Sequence, residues 1–192
     1  MWRFVPAAGL LIVPLALRGP SMQAATVQHG TADCTGVTGS ITFTPPLTTS
    51  GSAQEKIAGS FKFSHCTAHG GTDPIRAVAN LRATVQSGCP GIVPPLGYLG
   101  YTLSATIWWG IRSIAPSHVA FVGIDSSNGS NISLVVGGPN TSATGSYSGA
   151  DGGATSMASI ATKTTVAQAT QACSSARGLS HLAIASGTVH IG

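Results

Sequence analysis

The chain has 192 residues, enough for one domain with a sizeable core and too few for several. Apolar residues at 43% exclude a disordered chain, and charged residues at only 7% leave hydroxyls and amides to cover the surface. The formal net charge of +4 is thinly spread, because Arg3 and Arg18 lie in the leading segment while Lys56, Lys62, Arg76, Arg82, Arg112, Lys163 and Arg177 form no basic run, so nucleic acid is not an expected partner.

Residues 1–25 read as an export signal that is removed. Arg3 supplies the positive start, and residues 4–17 (FVPAAGLLIVPLAL) supply an apolar run of signal-peptide length. A spanning helix needs about 20 apolar residues, whereas Pro14 interrupts this run and Arg18-Gly19-Pro20 ends it. Cleavage is expected after Ala24 or Ala25, with Met22 or Gln23 standing where a small residue is usual. The first cysteine, Cys34, follows Asp33, which is no context for lipid attachment. The expected product is a single domain over 26–192, secreted or held at the cell surface, with no membrane contact once the signal is gone.

Four cysteines, Cys34, Cys66, Cys89 and Cys173, lie in that domain, and an even count in an exported chain reads as two disulfides. Three pairings are open. The favoured one joins Cys34 to Cys66, linking neighbouring strands, and Cys89 to Cys173, tying the C-terminal segment to the middle. Each bridge would stabilise the fold by about 3–5 kcal/mol on the loop-entropy account. Zinc is not expected, since no C-x-x-C pair occurs and export disfavours thiolates.

Beyond the signal the dominant period is two, the mark of half-buried strands. Ile41 and Phe43 alternate with threonines up to Pro45-Pro46, which is expected to end that strand, and 57–63 follows with Phe61 and Phe63 on one face and Lys62 on the other. In 75–85, Ala77, Ala79, Leu81 and Ala83 face a core while Arg76, Asn80 and Arg82 face water. Residues 89–100 (CPGIVPPLGYLG) are dense in Pro and Gly and read as a connection. In 101–109, Trp109 falls on the buried face and Trp108 on the exposed one. Strands at 119–124 and 132–136 flank Asn128-Gly129, a hairpin signal, and a strand pair is expected through 146–160. One helix is expected over 166–176, with Thr165 and Gln168 at capping-box spacing, Cys173 facing inward and Gly178 as its stop. A last strand covers 182–191. The sum is an all-β fold, a two-sheet antiparallel sandwich with one short C-terminal helix and two disulfides.

Five segments recur in an order seen elsewhere: TADCTGVTGSITFTPPL (31–47), FKFSHC (61–66), TIWWG (106–110), GSYSGADGGATSM (145–157) and CSSARGLSHLAIASGTVHIG (173–192). Together they resemble a family of small secreted actinobacterial proteins without an assigned activity. The resemblance covers nearly all of the chain beyond the signal and rests on the spacing of Cys, Trp and Gly. Pro45-Pro46-Leu47 stands where Pro-Gly-Leu is usual. It implies an extracellular β-sandwich, and no functional residue carries over from it.

The chemistry must therefore be sought in single residues. A hydrolase elbow needs G-x-S-x-G, but 145–149 reads G-S-Y-S-G, with Tyr147 at the nucleophile position. Of the five carboxylates, Asp73 precedes a proline, Asp125 opens a hairpin and Asp151 precedes glycines, so turn formation explains these better than a glycosidase pair. His65 and His69 flank Cys66 and are candidate metal ligands, with His29 as a third, although surface histidines without a ligand are the commoner outcome. Trp108, extended by Tyr98, is the candidate platform for stacking a sugar, against the plainer reading that Trp108 packs under the 89–100 connection.

Two function classes survive. One is a non-catalytic extracellular module that binds a cell-wall glycan or another extracellular protein without a cofactor, and it requires an exposed aromatic patch around Trp108. The other is an extracellular hydrolase, and it requires a pocket where a carboxylate meets a histidine. The scarcity of acids favours the first. A purely structural envelope role would show neither feature.

Overall fold

The computed structural model describes residues 24–192 except 51–53, 87, 94–97, 129 and 138–139; at 86, 98–101 and 123–128 it describes the backbone. The expected signal segment up to residue 23 lies outside the described residues. Ten strands and one helix follow in chain order: β1 (Thr31–Thr35), β2 (Thr38–Leu47), β3 (Gln54–His69), β4 (Ile75–Gln86), β5 (Tyr98–Trp109), β6 (Ser117–Asn128), β7 (Asn131–Gly137), β8 (Ser142–Gly145), β9 (Met157–Thr165), α1 (Val166–Ser174) and β10 (Leu179–Ile191). A 3-10 turn, Cys89–Gly91, lies between β4 and β5.

The all-β expectation, with one short helix and the disulfides Cys34–Cys66 and Cys89–Cys173, is met. The expected pair of facing sheets is replaced by a closed circuit. Strands β2 to β7 pair in sequence order, β7 pairs with β9, β9 with β10, and β10 returns to β2. All these ladders are antiparallel, so the chain forms an up-and-down barrel. Strand β1 lies in the same lane as β2, because both pair with β3 and β10 in one continuous register from Thr31–His69 to Thr44–Lys56. The barrel therefore has eight lanes, with β8 as a short flap paired to β6. Alternation along a strand says which side chains face in, but a sandwich and a barrel demand the same alternation.

The inward set fills the barrel. Phe43, Phe61, Phe63, Leu81, Leu103, Ile107, Phe121, Leu134, Ile160, Leu182 and Ile184 are all buried. Two internal voids lined in part by these residues measure only about 30 Å³ each. That is space for about one water, and both linings are apolar. The outward set is mostly Thr, Ser, Asn, Lys and Arg, with a few apolar side chains such as Val78, Trp108 and Met157 among them, unlike the continuous apolar band of a barrel that faces lipid. No helix among the described residues is long and apolar enough to cross a membrane.

Both ends are corked. At one end the Cys89–Cys173 bridge joins the 3-10 turn to α1, and Cys173, Cys89, Ile92 and Leu47 are buried there. Helix α1 starts on the expected capping box, Thr165 and Gln168 each accepting from the other's backbone N–H. At the other end residues 26–30 form a strap. Tyr147 N–H donates to the Gln28 carbonyl, Gly149 N–H to that of Gly30, and Ala115 N–H to that of Thr26. Beneath the strap Tyr147 is wholly buried, its ring edge-on to Trp109 at 4.7 Å and its hydroxyl donating to the Thr72 carbonyl.

Several expected boundaries shift: β5 already begins at Tyr98, inside the connection expected over 89–100, and Asp125, expected to open the hairpin, is paired with Tyr98 and Val135 inside β6. Strand β2 continues through Pro45-Pro46 to Leu47, which pairs with Leu179. The ladder to β3 stops at Thr44–Lys56, so on that side the missing proline N–H groups interrupt no pairing. The strand pair expected over 146–160 is instead a run of turns, with strand only from Met157. Positive φ at Gly145, Tyr147, Gly149, Gly152 and Gly153 reverses the chain repeatedly there.

Candidate functional site

Because the barrel core is full, chemistry with a ligand has to take place on its outside. Cross-strand register lays the outward residues of β2 to β5 in rows. One row reads Thr38, Lys62, Val78, Trp108. The next towards the strapped end reads Gly36, Ser64, Arg76, Gly110, and its two glycines leave the face hollow. A side chain at Gly36 would meet the Ser64 hydroxyl at 2.0 Å, and one at Gly110 would meet the Arg76 stem at 2.5 Å. The result is a groove of about 560 Å³ whose walls include Lys62, Arg76, Val78 and Trp108.

Trp108 is 43% exposed and Val78 47%, whereas Trp109, one residue on, is buried with its indole N–H donating to the Ser117 hydroxyl at 3.0 Å. The expected split between the two tryptophans is therefore met, and Trp108 stands in the groove. The side chain of Tyr98 lies outside the described residues. Its Cα pairs with Asp125, at the other end of β5 from Trp108.

The cations looked scattered along the sequence, yet folding gathers four of them. Lys56, Lys62, Arg76 and Arg82 all face outward on the adjacent strands β3 and β4. Lys62 and Arg76 are diagonal neighbours, as are Lys56 and Arg82, at about 7–8 Å between backbones. A second shallow groove, of about 580 Å³, lies between Lys56, Arg82, Thr84, Thr102 and Ser104. The carboxylates lie elsewhere. Asp73 accepts from Ala68 N–H at 2.6 Å and Asp151 from Gly153 N–H at 3.2 Å, the turn roles expected of them.

The histidine candidates are not brought together. His65 and His69 face outward four residues apart on β3, about 13 Å along a strand. His65 Nδ1 lies 3.0 Å from the Ser64 hydroxyl, and His69 Nε2 lies 3.1 Å from Asp33 Oδ2. His29 sits in the strap. Among the described residues no group of three His, Cys, Asp or Glu is arranged to hold a metal ion. Asp33 also reaches His190, with Nδ1 2.8 Å from Oδ1, so one carboxylate is clasped by two imidazoles across β3, β1 and β10. This clasp lies on open surface, Asp33 being 44% and His69 69% exposed. Its members are 36 and 157 residues apart, which no local spacing in the sequence reveals.

Glu55 is the second residue of β3. It faces into the barrel at 1% exposure, and its Oε2 has no hydrogen-bond partner. Burial pushes its carboxyl from the ordinary 4.5 up to about 7. Burial, helped by the charge of Asp73, likewise pushes the Tyr147 phenol up to about 12. Compared with known proteins, the chain matches no family model, no curated protein and no solved structure.

Proposed function

We propose that the protein is exported and acts as a non-catalytic module that binds a glycan on the outer face of β2 to β5. The observation that supports this is the half-exposed Trp108 standing in a groove of about 560 Å³, beside hydroxyls and a lysine that can hydrogen-bond a sugar. Two disulfides and the hydroxyl-covered exterior suit an extracellular setting. A filled core argues against a carrier of small molecules, and the carboxylate–histidine clasp found among the described residues lies on open surface and not in a cleft, which argues against the hydrolase reading.

Intrinsic fluorescence tests this directly. Among the described residues Trp108 is the exposed indole and Trp109 the buried one, and Trp2 lies in the expected signal, so titration of the chain without that segment with soluble cell-wall glycans shifts the emission through Trp108. Trp108→Ala weakens binding about tenfold, the scale of one aromatic contact, and removes the shift. A parent protein whose emission and mobility respond to no glycan would overturn the proposal.

A further inference from the structure

We infer that the ligand of this face is an acidic polysaccharide running along the strands, its carboxylates met by two separate cation pairs; this rests on the glycan reading above. Lys62 with Arg76 marks one end of the face, and Lys56 with Arg82 marks the other. Six residues separate Arg76 from Arg82 and Lys56 from Lys62, which places the pairs about 20 Å apart. The row between them, Ser40, Ser60, Asn80 and Thr106, is uncharged and hydrogen-bonding.

Charge complementarity identifies the occupant. Like charges at diagonal positions repel, and among the described residues no carboxylate pairs with these four. Among the described residues the ion pairs are those of Asp33 with His69 and His190, near the strapped end of the β1/β2, β3 and β10 lanes and past Lys62 along β3. Glu55 is adjacent in sequence to Lys56 but points into the core. The four cations are thus left for a counter-charge from outside. Their spacing distinguishes the kind of polyanion. Nucleic acid carries a phosphate every ~3.4 Å of strand, and two cation pairs about 20 Å apart would leave most of them unmet. A polysaccharide acidic at only some of its sugars presents few charges over the same length and many hydroxyls between them. The central Ser, Asn and Thr row suits those hydroxyls, and Trp108 beside Lys62 offers a sugar ring its stacking face.

The test uses the protein as exported, with hyaluronate, acidic on alternate sugars, as the probe, and dextran and poly(dT) for comparison. Hyaluronate is expected to bind at least tenfold more tightly than either, and to weaken roughly tenfold between 50 and 200 mM salt. Lys62→Gln with Arg76→Gln, and Lys56→Gln with Arg82→Gln, should each weaken hyaluronate about tenfold and flatten the salt dependence. All four side chains are exposed, and unchanged melting and near-ultraviolet circular dichroism verify that each variant folds. If dextran binds through Trp108 as tightly as hyaluronate and without salt dependence, the acidic ligand is overturned and the glycan module stands. If poly(dT) binds most tightly, the ligand is a nucleic acid and the inference fails. If none of the three binds, the acidic ligand is overturned, and the titration with cell-wall glycans then decides the module itself.

Discussion

Glu55 is the residue whose chemistry most affects stability. Its carboxyl is enclosed in the barrel with one oxygen unpartnered, and it stays protonated up to about pH 7. The unfolded chain ionises from about 4.5 upward, so between 4.5 and 7 the folded state holds the extra proton and stability falls as pH rises. Below 4.5 the contribution is absent, and above 7 the full loss, about 3 kcal/mol, persists. Glu55→Gln should remove this slope: melting temperatures at pH 5 and pH 8 converge, with the gain at pH 8 amounting to about 2–4 °C per kcal/mol for a domain of this size. A parent protein that melts no lower at pH 8 than at pH 5 would show that the carboxyl is not held in this way. The burial of Glu55 was legible in advance, since Glu55, Ile57, Gly59, Phe61 and Phe63 share one face of a strand whose Lys56 and Lys62 share the other. The clasp of Asp33 by His69 and His190 was not legible. It depends on which strands become neighbours, and period-two alternation carries no information on that.

Among the elements, the two bridges do different work. Cys34 and Cys66 are directly opposed on β1 and β3, strands that a long ladder already joins. Cys89 and Cys173 are 84 residues apart and join a 3-10 turn to a nine-residue helix. Such a helix is too short to be stable alone. Replacing Cys89 and Cys173 by serine should cost about 4 kcal/mol, and hydrogen exchange should show α1 losing protection before any barrel strand. Equal loss across β1 to β10 would indicate that the bridge supports the whole barrel. The start of the helix was readable because its cap is local, Thr165 and Gln168 acting within one turn, whereas the helix ends at Ser174 with an extended Ser175 as its C-cap, short of the stop expected at Gly178. The end of β2 was not readable, because a proline breaks a strand only where a ladder partner needs its N–H.

At the scale of the whole molecule, the strap over 26–30 closes the end opposite α1. Thr26 already takes part, donating to the Ser113 carbonyl and accepting from Ala115 N–H. Cleavage at the expected signal site leaves this closure intact, and intact mass of the exported protein should place its first residue at Ala25 or Thr26. A mass that retains residues 1–23 would mean an anchor instead of a signal. The all-β class, both cysteine pairs and the outward Trp108 were readable from alternation and spacing. Closure was not, since it depends on β9 pairing with β10 on one side and with β7 on the other.

That closure determines how the molecule can be recognised. In a ring of eight lanes each strand is paired on both sides over much of its length, with exceptions such as the short flap β8 and the β4–β5 seam beyond Arg82–Ser104, so little edge is open to an added strand. Whatever docks over the paired stretch of β2 to β5 is read through side chains. These outward Thr, Ser, Lys and Arg residues take no part in packing the core, so specificity can be rewritten across a whole face while the scaffold beneath it stays the same.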